Sequence, residues 1–291
     1  MQNKNDPKTI IITGATSGIG KETAIALAKL GETVIFTART KAAGEVARRE
    51  IREQSGNERV EYFECNLASL VSIKKFSDDF KDRYERLDVL INNAGVMEHE
   101  RKVSRDGFEM DFAVNYLAPF LLTNLLLSLL KASVPSRIIN VSSSLHSEGK
   151  INFEDMQSEH SFDLYKTYAQ SKLALILFTK KLAHELSDTG VTVNALNPGV
   201  VATKMTLKNI EHMNPIIRLF YQKTALSVKR GAETSIYLAV SPEVEKITGE
   251  YFDGKKIVSP APQSSDMAVT DKLWRESLKI IGQNGWQIAH Q

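Results

Sequence analysis

A tyrosine four residues ahead of a lysine is a pair that can move a proton. The chain carries it twice, as Tyr168/Lys172 in YAQSK and as Tyr251/Lys255 in YFDGK. A free phenol titrates near pH 10, and a neighbouring ammonium favours its ionised form, so the pair is suited to acid–base work. Bringing the phenol near neutrality takes roughly 4 kcal/mol of differential stabilisation. The spacing is useful only on a helix, where residues four apart share a face. Leu173, Ile176, Leu177 and Leu182 follow the first copy at helical spacing, whereas Asp253-Gly254 puts a turn signal inside the second. Tyr165 lies seven residues from Lys172, a rise of roughly 10 Å. Tyr168 is therefore the tyrosine expected to do chemistry.

The elements that must position this pair follow from the hydrophobic pattern. Short β-branched runs (KTIIIT, ETVIFT, RVEYFE, LDVLIN, SRIINVSS, GVTVNALN and GEYFDG) alternate with helical stretches such as IGKETAIALAKLG and LASLVSIKKFSDDFKDRYER. Strand and helix alternating in this way predict an α/β fold: a single doubly wound Rossmann domain over residues 1–291, with about seven parallel strands and helices on both faces. No Pro/Gly/Ser linker, repeat or low-complexity tract divides the chain. Its composition, 42% hydrophobic and 25% charged, is that of a chain able to bury a large core.

Bulk properties exclude several functions. A net charge of +2 points to no nucleic-acid partner. The lone cysteine, Cys65, excludes a disulfide framework and fits a reducing, cytoplasmic setting. The six histidines show no HxxxH or Cys/His spacing, so no metal is expected; His99, His146 and His212 are read as polar rim residues. The start, MQNKNDPKTIIITG, has neither a signal-peptide nor an anchor pattern. The most apolar stretch runs from Tyr116 to Ala132 and is interrupted by Pro119, Asn124 and Ser128; it is read as a buried helix and not as an integral membrane segment.

TGATSGIG follows the first strand and opens the first helix. Gly14, Gly18 and Gly20 leave room for a diphosphate beside free N–H groups at the positive end of the helix dipole. The spacing is not the familiar Gly-x-Gly-xx-Gly, so strand-before and helix-after carry the nucleotide reading. The second strand ends VIFTART, with Ala38 and then Arg39 where enzymes that prefer NAD usually carry an acid for the ribose 2′-hydroxyl. An arginine there can receive a 2′-phosphate, which points to NADP.

TGATSGIG, INNAG, the asparagine of FAVNYLAPF, the serines after RIIN, YAQSK and NPGVVAT occur in this order over nearly the whole chain. Together they resemble the short-chain dehydrogenase/reductase family, and INNAGVM, GKINFEDM and YAQSKLALILFT look closest to its retinol-dehydrogenase-like branch. The resemblance implies that Tyr168 is the acid/base and Lys172 its activator and ribose ligand. It also implies that Ser143 holds the substrate oxygen and that Asn115 kinks a helix and holds a water near the lysine. It places Thr16, Ser17 and Ile19 along the diphosphate and Asn93, Ala94 and Gly95 on the ribose side. Pro198, Gly199, Val201 and Thr203 fall at the nicotinamide half. In CNL, Asn66 and Leu67 border the adenine, with Asn66 standing where the family usually has an aspartate.

Residues 203–225 are unusually apolar for a connector and correspond in the family to a variable lid over the substrate. Met205, Met213 and Phe220 are the expected substrate contacts, which suggests a hydrophobic alcohol or carbonyl of retinoid, steroid or lipid-aldehyde type. The leading reading is an NADP(H)-dependent alcohol dehydrogenase or carbonyl reductase, with a homo-oligomer left open. The rival is a sensor or scaffold that binds NADP(H) without turnover, and the set Ser143, Tyr168 and Lys172 argues against it. A third reading, pigment reduction of the protochlorophyllide type, usually brings further cysteines, and Cys65 is expected far from the site.

Overall fold

The computed structural model describes residues 6–210 and 223–283. One eight-stranded sheet runs through it in the order β3-β2-β1-β4-β5-β6-β7-β8. Its strands are β1 (Thr9–Ile12), β2 (Thr33–Ala38), β3 (Val60–Glu64), β4 (Val89–Asn92), β5 (Ser136–Val141), β6 (Val191–Asn197), β7 (Tyr251–Asp253) and β8 (Lys256–Ile257). All neighbours are parallel except β7 and β8. The expectation of about seven strands is thus short by one. The extra strand is a two-residue return from β7, and Gly254 (φ +52°) and Lys255 (φ +66°) make the two-residue hairpin turn. So short a strand has no hydrophobic period to read.

The alternation of β1 shows how two cores arise. Ile10 and Ile12 point to one face, where they meet Ala24 and Leu27 of α1 (Gly18–Lys29), Ala47 and Ile51 of α2 (Lys41–Ser55), and Leu238 of α7 (Val228–Val240). Ile11 points to the other, toward Phe76 of α3 (Leu70–Lys81), Phe120 of α4 (Met110–Ala132) and Phe178 of α5 (Leu164–Glu185). A short helix, α6 (Lys204–Ile210), follows β6, and α8 (Met267–Gln283) closes the second face. There Trp274 of α8 stacks on Phe178 with ring centroids 5.9 Å apart and meets Phe120 edge-on at 5.0 Å.

Helix α4 is long and apolar enough to cross a membrane by length and composition. In this fold it is a core helix, with Phe120, Leu121, Leu122 and Leu126 fully buried. Residues Ala113–Leu117 are wound as a π-helix within it. Such bulges displace a helix locally, and this one lies under the candidate site.

Candidate active site

The crossover between β1 and β4 on either side of the sheet order opens a crevice at the C-terminal ends of the strands. A cleft of about 790 Å³ fills it. Along one end run Gly14, Thr16, Ser17, Gly18, Ile19 and Gly20, with Arg39, Cys65, Asn66 and Leu67 beside them. Asn93, Ala94 and Gly95 border the middle, while Tyr168, Lys172, Pro198, Thr203 and Met205 line the far end.

The three glycines have different reasons to be glycine. A Cβ on Gly14 would lie 2.9 Å from Ala94, and one on Gly20 only 2.4 Å from Asn93 Nδ2, so both admit the β4 loop against the turn. Gly18 has φ +59°, a conformation that side chains rarely adopt, and its open side faces Thr203 at 3.5 Å. The turn is fixed from three sides. Gly14 N–H donates to Thr37 Oγ1 (3.2 Å), and Asn93 and Ala94 each donate a backbone N–H to Thr13 Oγ1 (3.0 Å). Asn93 also gives its amide to the Thr13 carbonyl (2.9 Å), so its side chain braces the turn. Ser17 precedes α1 without capping it through its side chain, leaving the hydroxyl and the first N–H groups to an anion.

At the end of β2, Arg39 is exposed and makes no ion pair with any described residue. Asn66 lines the cleft, and its Oδ1 accepts from Ala68 N–H (3.1 Å). Cys65 borders this same end, while Tyr168 and Lys172 line the far one. Burial pushes its thiol up to about 12, so it is inert.

Tyr168 and Tyr165 separate clearly. Tyr168 is 6% exposed and Tyr165 is 45% exposed. The Lys172 ammonium sits 5.6 Å from the Tyr168 ring centroid and donates to the Val141 carbonyl at the end of β5 (3.0 Å). The expected lowering of the phenol is absent in the chain by itself. Burial holds Tyr168 well above the ordinary tyrosine range, the Ser143 hydroxyl hydrogen-bonds it and counteracts part of this, and Asp111 adds to the rise. Burial also brings Lys172 down to about 8, with Asp111 opposing. Burial is the main cause, and the ammonium, 5.6 Å from the ring centroid, is engaged by the Val141 carbonyl.

Ser143 caps the short turn Ser144–Glu148, and its Oγ accepts from Leu145 N–H (3.2 Å). It meets Tyr168 without itself bordering the cleft, where Ser142 does. Ser142 donates to the Lys172 carbonyl (3.0 Å) and so ties β5 to α5. Asn115 lies in the π-wound segment, where a kink was expected. Its side chain is fully used: Oδ1 accepts from Val96 N–H (2.8 Å), and Nδ2 donates to the Val96 carbonyl (2.9 Å) and to Ser171 Oγ (3.0 Å).

Two expected cofactor contacts stand back from the cleft. Val201 is 2% exposed and packs where a Cβ on Gly231 would come within 2.5 Å, while the outer side of Gly199 is closed by Leu226 at 2.8 Å. Both shape the loop rather than line it. Met205 lines the cleft, whereas Met213 and Phe220 lie outside the described residues. Sequence reasoning passed over Asn197, whose Oδ1 takes N–H groups from Ser144 (3.2 Å) and Gly199 (3.1 Å) while its amide donates to Asp253 (3.1 Å). His146, expected as a polar rim residue, is buried instead: its Nδ1 lies 2.7 Å from the Ser143 carbonyl and its Nε2 accepts Ala261 N–H (3.0 Å). A histidine three residues after a candidate serine was the available signal.

The family model for short chain dehydrogenase matches residues 8–214. Among curated relatives, retinol dehydrogenase 13 of Mus musculus is 46% identical over 284 residues, covering 94% of this chain and 84% of that protein. Retinol dehydrogenase 14 of Homo sapiens is 45% identical, covering 94% and 86%. A solved protein of uncharacterised function from Mycobacterium Paratuberculosis superposes with a TM-score of 0.75 at 30% identity, over 95% of each chain. A variant of actinorhodin polyketide ketoreductase solved with NADPH gives 0.68 at 27% identity, over 86% of this chain and 97% of its own.

Proposed function

Because the chain belongs to the short-chain dehydrogenase family and is therefore an oxidoreductase, we propose that it transfers a hydride between NADP(H) and a hydrophobic alcohol or carbonyl compound. The observation that carries this reading is one cleft with a glycine turn and an uncommitted arginine at one end and Tyr168 and Lys172 at the other, with Ser143 against Tyr168 behind the wall. A solved relative that holds NADPH supports the cofactor, and the names of the curated relatives, retinol dehydrogenases, support the retinoid-like member of the expected hydrophobic substrates.

The chain's residues fit the dinucleotide. Thr16, Ser17 and the N–H groups opening α1 would hold the diphosphate, Arg39 the 2′-phosphate, and Asn66 and Leu67 the adenine; Lys172 would reach the nicotinamide ribose. Bound NADP(H) supplies or accepts the hydride. In reduction Tyr168 donates its hydroxyl proton to the carbonyl oxygen, and in oxidation its phenolate takes the proton of the alcohol. Ser143 stabilises charge on that oxygen by hydrogen bonding. The Lys172 ammonium and the positive charge of the oxidised cofactor both favour phenolate, opposing the effect of burial. Val141 holds the lysine in place for this through its carbonyl. Met205 presents the apolar wall.

Kinetics with a long-chain aldehyde and each reduced cofactor test the reading. The wild type is expected to favour NADPH in kcat/KM, and Arg39→Asp to lose roughly ten- to hundredfold with NADPH while keeping or gaining with NADH. A wild type that prefers NADH would overturn the cofactor assignment.

A further inference from the structure

Two carboxyls are buried just below the catalytic pair, and nothing in the mechanism above uses them. Glu109 and Asp111 are both 0% exposed and open helix α4. Glu109 is well served: its two oxygens accept N–H groups from Asp111 (2.9 Å) and Phe112 (2.7 Å). Asp111 is not. Its Oδ1 accepts a single backbone N–H, from Glu98 (3.1 Å), and its Oδ2 is buried with no hydrogen-bond partner among the described residues. Two buried acids two residues apart cannot both be charged cheaply. Burial raises both; the two N–H donors on Glu109 oppose the rise there, whereas Asp111 has one donor and a bare oxygen and is the acid more readily kept protonated.

Asp111 also stands one turn before Asn115. The two side chains grip alternate residues of the loop after β4, Asp111 taking Glu98 and Asn115 taking Val96. Between that loop and α5 the distances are short. A Cβ on Gly95 would lie 3.3 Å from both Asn115 Oδ1 and Lys172 Nζ, and Asn115 bonds Ser171 beside the lysine. The charged groups facing Asp111 are Glu109 on its own helix, Glu98 on the loop and Lys172 on α5. Glu98 is itself paired to Lys102 (2.7 Å), and Arg101 is the cation beside Glu109.

We propose that Asp111 is a positioning residue that acts on the site through its charge: neutral at and below neutral pH, ionised in alkali, and then holding Tyr168 in its phenol form and Lys172 as ammonium. Burial, with Glu109 beside it, raises the Asp111 carboxyl to about 8, and its charge raises both Tyr168 and Lys172. The carboxylate therefore appears in the same pH range in which the Lys172 ammonium would begin to lose its proton. The effect extends the alkaline limb of carbonyl reduction and delays the limb of alcohol oxidation.

This rests on Tyr168 being the acid/base, so the test has two arms. In the first, full-length protein carrying ¹³Cγ-labelled aspartate is titrated by NMR with and without NADPH, and Asp111→Asn identifies the signal. A midpoint above pH 6 is expected; an Asp111 resonance already ionised at pH 5 overturns the proposal whatever the enzyme's substrate. In the second, NADPH-dependent reduction of a long-chain aldehyde is followed from pH 6 to pH 10. Asp111→Asn keeps an oxygen for Glu98 N–H and is isosteric with the protonated acid. Its rate is expected to match the wild type below about pH 7 and to fall about three- to tenfold below it on the alkaline limb. A uniform loss at every pH means a structural role and overturns the proposal, as do superimposable profiles. Absence of aldehyde turnover in the wild type, with the NMR midpoint high, would instead count against the substrate reading.

Discussion

Tyr165 and Tyr168 stand on the same helix within one turn of each other, yet only the second is buried and reaches Ser143. Tyr168→Phe deletes one hydroxyl and keeps the ring that packs under the site. It is expected to leave NADPH affinity nearly unchanged and to lower kcat by about 10²–10⁴-fold or more, because in the proposed reaction the hydroxyl is both acid and hydrogen-bond donor to the developing alkoxide. Tyr165→Phe and Tyr251→Phe serve as controls expected to stay within severalfold of the wild type. Tyr251 is 4% exposed in β7 and packs edge-on against His146 at 4.8 Å, while its apparent partner Lys255 turns away to Glu233 (3.1 Å). Stopped-flow turnover and a fluorescence titration of NADPH separate these outcomes. Loss of turnover in Tyr165→Phe equal to that in Tyr168→Phe would reverse the assignment.

At the level of elements, the site is a junction of α4, α5 and the ends of β4 and β5, held by side chains that replace missing backbone partners. Asn115 completes the Val96 peptide on both sides and joins it to Ser171. Asn115→Ala leaves the half-buried Val96 N–H and carbonyl without these bonds, at a cost of up to about 1–3 kcal/mol each before relaxation. The expected result is a lower urea midpoint together with a fall in kcat, since Val96 and Lys172 are both positioned across it. Unchanged urea unfolding in this variant would show that the loop finds other partners.

For the whole molecule, the doubly faced sheet places a buried acid and a buried amine in one core, and stability should register both. Asp111 is raised from 3.8 to about 8 in the fold, so its contribution is complete below the unfolded value and is lost as the pH rises toward 8. Lys172 is lowered from 10.5 to about 8, so its contribution is present above the unfolded value and is lost as the pH falls from there to about 8; it adds no slope below that. Between pH 5 and pH 8, Asp111→Asn is therefore expected to gain about 1–3 kcal/mol relative to the wild type in urea unfolding. A difference that stays flat with pH would mean that Asp111 ionises freely in the folded chain.

What could be read without coordinates was whatever depends on neighbours in the chain. The period-2 and period-3.6 patterns specify the strands and helices, and a tyrosine four residues before a lysine on a helix shares its face whatever the rest does. The glycine turn, Arg39 and the serine run are local in the same sense. The resemblance over the whole chain then supplied roles for Ser143 and Asn115. What only the tertiary structure decided were quantities set by burial and by partners distant in sequence. The phenol of Tyr168 is raised rather than lowered because the fold buries it and gives the lysine to Val141. Asn197 and His146 matter through groups 53 to 115 residues away, and no spacing rule reaches that far. Asp111 is the clearest case. In the sequence it is one acid among 35, and only packing strips one of its oxygens of every described partner and sets it where its charge acts on Lys172.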